Sequence, residues 1–184
     1  MVTPKHFTLV YSKQQITDAV ARLGAEITEW AGAVHREYHE TILTVPVLGG
    51  GVFFFADLVR AVPYSLEMAP VRAWAYAAGV NAEPTPDLKV DMRDIPAKGR
   101  RVLLIDDVCD SGRTLEKLKI LFEQAGASEV RSAVLIKRLL TKPTFEPDWV
   151  GFRYEHPEWF VGYGMDDNGQ WRNLPSVYVM PVVA

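Results

Sequence analysis

Residues 101–114 read RVLLIDDVCDSGRT, and this stretch decides the fold. Val102, Leu103, Leu104 and Ile105 form a short apolar run without alternation, the pattern of a strand buried on both faces. Asp106 and Asp107 follow at once, then Asp110 and the turn Ser111-Gly112-Arg113-Thr114. From Leu115 the spacing of Leu115, Leu118, Leu121, Phe122 and Ala125 is helical. The stretch is therefore a strand, an acidic and hydroxyl-rich loop, and a helix. Open α/β sheets bind ligands at the carboxyl ends of their strands. A helix start made of small residues offers free N–H groups to a phosphate. Paired carboxylates suit Mg²⁺ or ribose hydroxyls, because both want hard oxygen partners. The plainer alternative is a loop that only caps its helix, with Ser111 or Asp110 as N-cap. Three acids and a Ser-Gly-Arg-Thr turn gathered behind one buried strand favour the ligand-binding reading.

The rest of the chain sets bounds. Its 184 residues, 48% hydrophobic and 23% charged, fit one globular domain over residues 1–184 with a substantial core. No apolar run approaches the ~20 residues of a membrane span. The opening MVTPKHFTLVYSKQQ lacks the charged region and long apolar core of a secretory signal. The single cysteine, Cys109, excludes an intrachain disulfide and fits a reducing cytoplasm. A net charge of −3 gives no electrostatic reason to expect a nucleic-acid surface. Phosphates must then be held by a local arrangement of amides and a few cations.

Ser12–Trp30 reads as an amphipathic helix opened by a Ser12/Gln15 capping box. His35 and His39 sit four apart without a nearby third ligand and read as surface histidines. Thr41–Val47 is a strand running into Leu48-Gly49-Gly50-Gly51, followed by an apolar helix, Val52–Val62. Such glycines permit positive φ and close backbone approach to an anion, although a plain tight turn needs them too. Val71–Tyr76 alternates like a strand and Lys89–Met92 is extended. The dozen residues between, Ala77–Leu88, are either a surface loop or functional. Glu129–Ile136 is a further strand that ends in Lys137-Arg138. Strands alternating with helices give a parallel sheet with helices on both faces.

The IDDVCDSGRT stretch resembles the signature of the type I phosphoribosyltransferases, which use 5-phosphoribosyl-1-pyrophosphate (PRPP). The later runs PDWVGF and WFVGYGMDDNGQWRNLP resemble the C-terminal half of the hypoxanthine-guanine phosphoribosyltransferases. The resemblance covers nearly the whole chain and is densest after Arg101. It implies the type I fold, with a small cap over the base site formed from the two chain ends. It implies Asp106 and Asp107 at the ribose, and Asp110, Ser111, Gly112, Arg113 and Thr114 at the 5-phosphate. Leu48, Gly49, Gly50, Tyr76 and Arg172 would meet pyrophosphate. Many purine relatives carry a basic residue where Gly49 stands, and often Ser-Tyr where Ala75-Tyr76 stands. Lys137, Trp159 and Phe160 would meet the base, and Asp110 would be the general base. Mg²⁺ would sit near Asp166, Asp106 and Asp107. The activity implied is purine salvage, transferring phosphoribosyl from PRPP to hypoxanthine or guanine, in a cytoplasmic homo-oligomer, a dimer or tetramer. Xanthine or another base is the alternative substrate. A nucleotide-sensing RNA-binding regulator on the same fold is the alternative class, which the net charge disfavours.

Overall fold

The computed structural model describes residues 3–71, 73–75, 88–90, 95–139 and 143–180. Tyr76 and most of the Ala77–Leu88 stretch lie outside them. In chain order the elements are β1 (Thr8–Tyr11), α1 (Lys13–Tyr38), β2 (Ile42–Pro46), α2 (Val52–Arg60), β3 (Leu66–Met68), β4 (Ala73–Ala75) and β5 (Leu88–Val90). Then follow β6 (Arg101–Cys109), α3 (Arg113–Gln124), β7 (Glu129–Arg138), β8 (Trp149–Tyr154), β9 (Trp159–Val161) and β10 (Val177–Met180).

The main sheet is parallel, in the order β3-β2-β6-β7-β8. The apolar run of the central strand β6 divides between its two faces. Leu103 and Ile105 pack with Ile16, Leu23 and Ile27 of α1 and Phe54 and Leu58 of α2. Val102 and Leu104 pack on the other side with Leu115, Leu118 and Phe122 of α3. The expected α/β architecture, a parallel sheet with helices on both faces, is the one found.

A second, antiparallel sheet, β1-β10-β9, joins the two ends of the chain. It is apolar on the side that meets the main body. Phe160, Val177 and Val179 share one buried cluster with Ile16 and Val20, and the Tyr11 ring stacks on Phe152 with centroids 3.9 Å apart.

Several boundaries differ from the sequence pattern. The capping box on Ser12 is formed, but α1 runs on to Tyr38 because Ala31 and Val34 continue its buried stripe. It ends at His39, which takes a left-handed conformation. β6 continues through both acids to Cys109, and β7 continues through Lys137 to Arg138. Ladder pairing explains this: Asp106 sits opposite Val134 and Cys109 opposite Lys137. The acid pair and the Lys-Arg pair are therefore strand residues with fixed facing, not free loop residues.

Candidate active site

Asp106 and Asp107, near the carboxyl end of β6, each fold back onto the amide of the following residue. Asp106 Oδ1 accepts from Asp107 N at 3.0 Å, and Asp107 Oδ1 accepts from Val108 N at 2.9 Å. Burial pushes both carboxyls above the ordinary carboxylate range, and the charge of Asp107 pushes Asp106 further. Such a pair is primed for partners that donate hydrogen bonds or carry positive charge.

The loop behind them opens α3 at Gly112, with φ +90 and no side-chain cap. The simple capping role for Ser111 or Asp110 is not what forms. Ser111 Oγ accepts only a long bond, 3.4 Å, from Arg113 N, and Asp110 turns to Arg138. The first-turn amides of α3 are left to an anion. Asp106, Asp110, Ser111, Gly112, Arg113 and Thr114 together line a small cleft of about 180 Å³.

The glycine turn after β2 is packed against the acids. A Cβ on Gly50 would fall 1.7 Å from Asp107 Oδ2. Gly164, at φ +102, approaches Gly50 so closely that its Cβ would lie 2.0 Å from Gly50 O. Three segments distant in sequence thus touch through positions that admit no side chain. Leu48 donates its amide to Val71 O at 2.8 Å, so that N–H is already used. Gly49 is open on the side where a Cβ would stand.

A second cleft, of about 200 Å³, lies on the other side of Asp110. Gly50, Asp107, Val108 and Asp110 form one wall, and Arg138, Trp159, Phe160, Met165, Asp166 and Arg172 complete it. Trp159 is 58% exposed, and its indole N–H donates to Asp166 O at 2.7 Å. The Asp166 carboxylate accepts from Gly169 N at 2.6 Å and pairs with Arg172 at 2.8 Å. Arg172 also donates to Gly164 O at 2.6 Å. Tyr163 anchors this loop to α2 by donating to Asp57 at 2.6 Å.

Most of the anticipated residues are gathered in these two clefts. Lys137 stands apart. It is 1% exposed, does not line the second cleft, and donates to Asp110 O at 2.9 Å and Cys109 Sγ at 3.4 Å. The cation that does line the cleft is its neighbour Arg138, which the strand pattern left unassigned. Alternation along β7 was the available signal, since successive side chains point to opposite faces.

The donor set fits a hard cation, but not a protein-built cage. Among the described residues no three acid, histidine or cysteine side chains converge on one point, so Asp166 and the Asp106–Asp107 pair are separate oxygen groups. Mg²⁺ commonly takes one or two carboxylates, its own waters and substrate phosphates.

An open α/β sheet with paired acids and an uncapped helix start at its central strand defines an enzyme that handles a phosphorylated, polyhydroxylated substrate. Residues 13–168 match the phosphoribosyl transferase domain. The hypoxanthine-guanine phosphoribosyltransferase of Bacillus subtilis is 34% identical over 175 residues, 94% of this chain and 92% of that protein. The enzyme of the same name from Streptococcus pneumoniae is 31% identical over equal shares. A hypoxanthine-guanine phosphoribosyltransferase of Bacillus anthracis superposes with TM-score 0.79 at 27% identity, covering 94% of this chain and 98% of that one. The hypoxanthine phosphoribosyltransferase of Trypanosoma cruzi, solved with the product IMP, shares the fold with TM-score 0.84 at 20% identity, over 99% and 95% of the two chains. The chain belongs to the phosphoribosyltransferase family, within its hypoxanthine-guanine group.

Proposed function

We propose that this enzyme transfers the 5-phosphoribosyl group of PRPP to a 6-oxopurine, hypoxanthine or guanine, giving IMP or GMP and pyrophosphate. The observation that carries this reading is the position of Asp110, which borders both clefts. A sugar phosphate on the α3 side and a planar base on the Trp159 side meet there. The relatives' names supply the base class.

The chemical difficulty is charge. Positive charge builds on the ribose ring while pyrophosphate leaves with growing negative charge. Asp106 and Asp107 take the ribose hydroxyls and place negative charge beside the ring. Ser111, Gly112, Arg113 and Thr114 hold the 5-phosphate through the α3 amides and hydroxyls. Gly49 and Gly50 present backbone to pyrophosphate, and the resemblance adds Leu48 and Tyr76 to this group, Tyr76 lying outside the described residues. Arg172 turns its fork from Gly164 O to two phosphate oxygens. Mg²⁺, where bound, would supply neutralisation of the leaving group's charge. Asp166 and the Asp106–Asp107 pair would hold it, largely through water. Asp110 takes the proton from the attacking ring nitrogen.

Trp159 offers the base a flat face, and Phe160 places main chain at its edge. By the family resemblance Lys137 would meet the 6-oxo group; buried behind the cleft on Asp110 O and Cys109 Sγ, it would have to turn its remaining N–H toward the base. A 6-amino group would set donor against donor. The single buried cysteine supports a cytoplasmic setting. Among the described residues no helix is long and apolar enough to cross a membrane. Exposed Val52, Phe53 and Met68 supply apolar surface for a homo-oligomer, a dimer or tetramer.

The test is pyrophosphate release from PRPP with hypoxanthine, guanine, xanthine, adenine, uracil and orotate in turn. A 6-oxopurine is expected to exceed adenine by about 10²-fold or more in kcat/KM, and excess chelator should stop turnover. A pyrimidine as best acceptor, or an unchanged rate in chelator, would overturn the reading.

A further inference from the structure

The side chain of Asp110, the proposed base, is 66% exposed. An exposed aspartate samples several rotamers, and a base that must meet one ring N–H gains rate from being held in one. Arg138 supplies the restraint. Its side chain is only 12% exposed, and its Nε donates to Asp110 Oδ1 at 2.5 Å. A second guanidinium nitrogen, Nη1, donates to His156 O at 2.5 Å and Glu158 O at 3.1 Å, on the turn that leads into Trp159. The guanidinium carbon lies 4.5 Å from the centre of the Phe160 ring. One planar group therefore ties together the carboxylate, the turn before the stacking residue and the aromatic beneath it. A lysine could not do this, because a point charge lacks the fork.

We infer that Arg138 is the positioning residue of the proton-transfer step, fixing the Asp110 carboxylate against the bound base and tying it to the Trp159 turn. The inference rests on Asp110 being the base. In the step, the ring N–H bond breaks and an O–H bond forms on the Asp110 oxygen not held by Arg138. The electron pair left on nitrogen forms the bond to the ribose carbon, and the carbon–oxygen bond to pyrophosphate breaks, its pair departing with pyrophosphate. No oxidant or further reactant is involved.

The test is a double-mutant cycle on the full-length enzyme with Arg138→Gln and Asp110→Asn, read as kcat and as KM for PRPP, with melting curves for each variant. Asp110→Asn should lower kcat by about 10²–10⁴-fold. Arg138→Gln should lower kcat by about tenfold or more, while KM for PRPP moves less than about threefold. In the Asp110→Asn background the same change should alter kcat by less than about twofold, because the group it positions is gone. Arg138→Lys, which keeps the charge without the fork, should recover only part of the loss and serves where the glutamine variant melts early. Equal losses from Arg138→Gln in both backgrounds would overturn the positioning role while leaving Asp110 as the base. A parental rate for Asp110→Asn would overturn both.

Discussion

The two sides of Asp110 are built in different ways. On the phosphate side, Asp106, Asp110 and Ser111–Thr114 come from one unbroken strand-to-helix stretch, braced from outside where Thr144 N donates to Ser111 O at 2.9 Å and Lys137 to Asp110 O at 2.9 Å. On the base side, Arg138, Trp159, Phe160, Asp166 and Arg172 come from the end of β7, from β9 and from the loop between β9 and β10. There the geometry is set by hydrogen bonds between side chains and distant main chain: Trp159 to Asp166, Arg172 to Gly164, Arg138 to His156 and Glu158. The first side is one continuous backbone segment with a few outside braces, and the second is assembled from separate segments by a network of side-chain bonds. Substitutions on the first should act through displaced backbone, and on the second through one bond at a time.

The largest effect is expected where the two sides touch. Gly50 meets Asp107, on the strand that carries the phosphate loop, with no room for a methyl group, and its carbonyl leaves no room for one on Gly164 of the β9–β10 loop. Gly50→Ala must displace either the glycine turn or the Asp107 carboxylate, and both are proposed to face PRPP. A displacement near 1 Å at reacting groups can cost about 10²-fold, so kcat/KM for PRPP should fall by about that factor. Steady-state kinetics on this variant with either hypoxanthine or guanine measure it. A loss under about threefold would mean that the turn and the acid pair are not a packed unit.

The same contrast explains what the sequence disclosed. The parallel sheet and the α3 phosphate loop were readable because apolar run, acids, glycine and helical spacing are contiguous. The exact strand ends were not: β6 and β7 continue past their apolar runs because ladder hydrogen bonds, which ignore side-chain polarity, carry Asp107 and Arg138 along. The short strands β1, β3, β9 and β10 have too few residues to show a period, and their pairing is long-range. Arg138 read as a plain strand-end cation, since nothing near it in sequence names Asp110, His156 or Glu158. Lys137, placed at the base by resemblance, is a buried residue whose first partners are Asp110 O and Cys109 Sγ.

A smaller effect should come from the acid pair itself, with opposite signs for stability and activity. Asp106 is 9% exposed, beside Asp107, and both burial and that neighbour disfavour its charge. Asp106→Asn removes the charge and keeps an oxygen for the Asp107 amide. The ligand-free protein should then melt about 2–4 °C higher, corresponding to roughly 1 kcal/mol in a domain of this size. The amide is a poorer acceptor for a ribose hydroxyl, so kcat/KM for PRPP should fall by about tenfold, the loss expected for a charge-assisted hydrogen bond of about 1.5 kcal/mol. Thermal melts without PRPP, beside kinetics with it, separate the two. A lower melting temperature would mean that the pair stabilises the strand end rather than straining it.

The smallest effect belongs to the base side and asks whether its network acts one bond at a time. Trp159→Phe keeps an aromatic face for the base but removes the indole N–H that holds Asp166 O. A net hydrogen bond contributes about 0.5–1.5 kcal/mol, and one at a residue as exposed as Trp159 belongs at the low end. The expected loss in kcat/KM is therefore about threefold. Its form is more telling than its size. If the indole serves only as a stacking face, phenylalanine should change KM for the base and leave the metal requirement alone. If the bond also holds the Asp166 loop, the Mg²⁺ concentration for half-maximal rate should rise about threefold while KM for hypoxanthine stays within twofold. Asp166 would still be held by Gly169 N and Arg172, so the loop would loosen without collapsing. An unchanged Mg²⁺ titration would show that the Trp159 bond acts independently of the Asp166 loop, and the contrast between the two sides would then rest on Arg138 and Arg172.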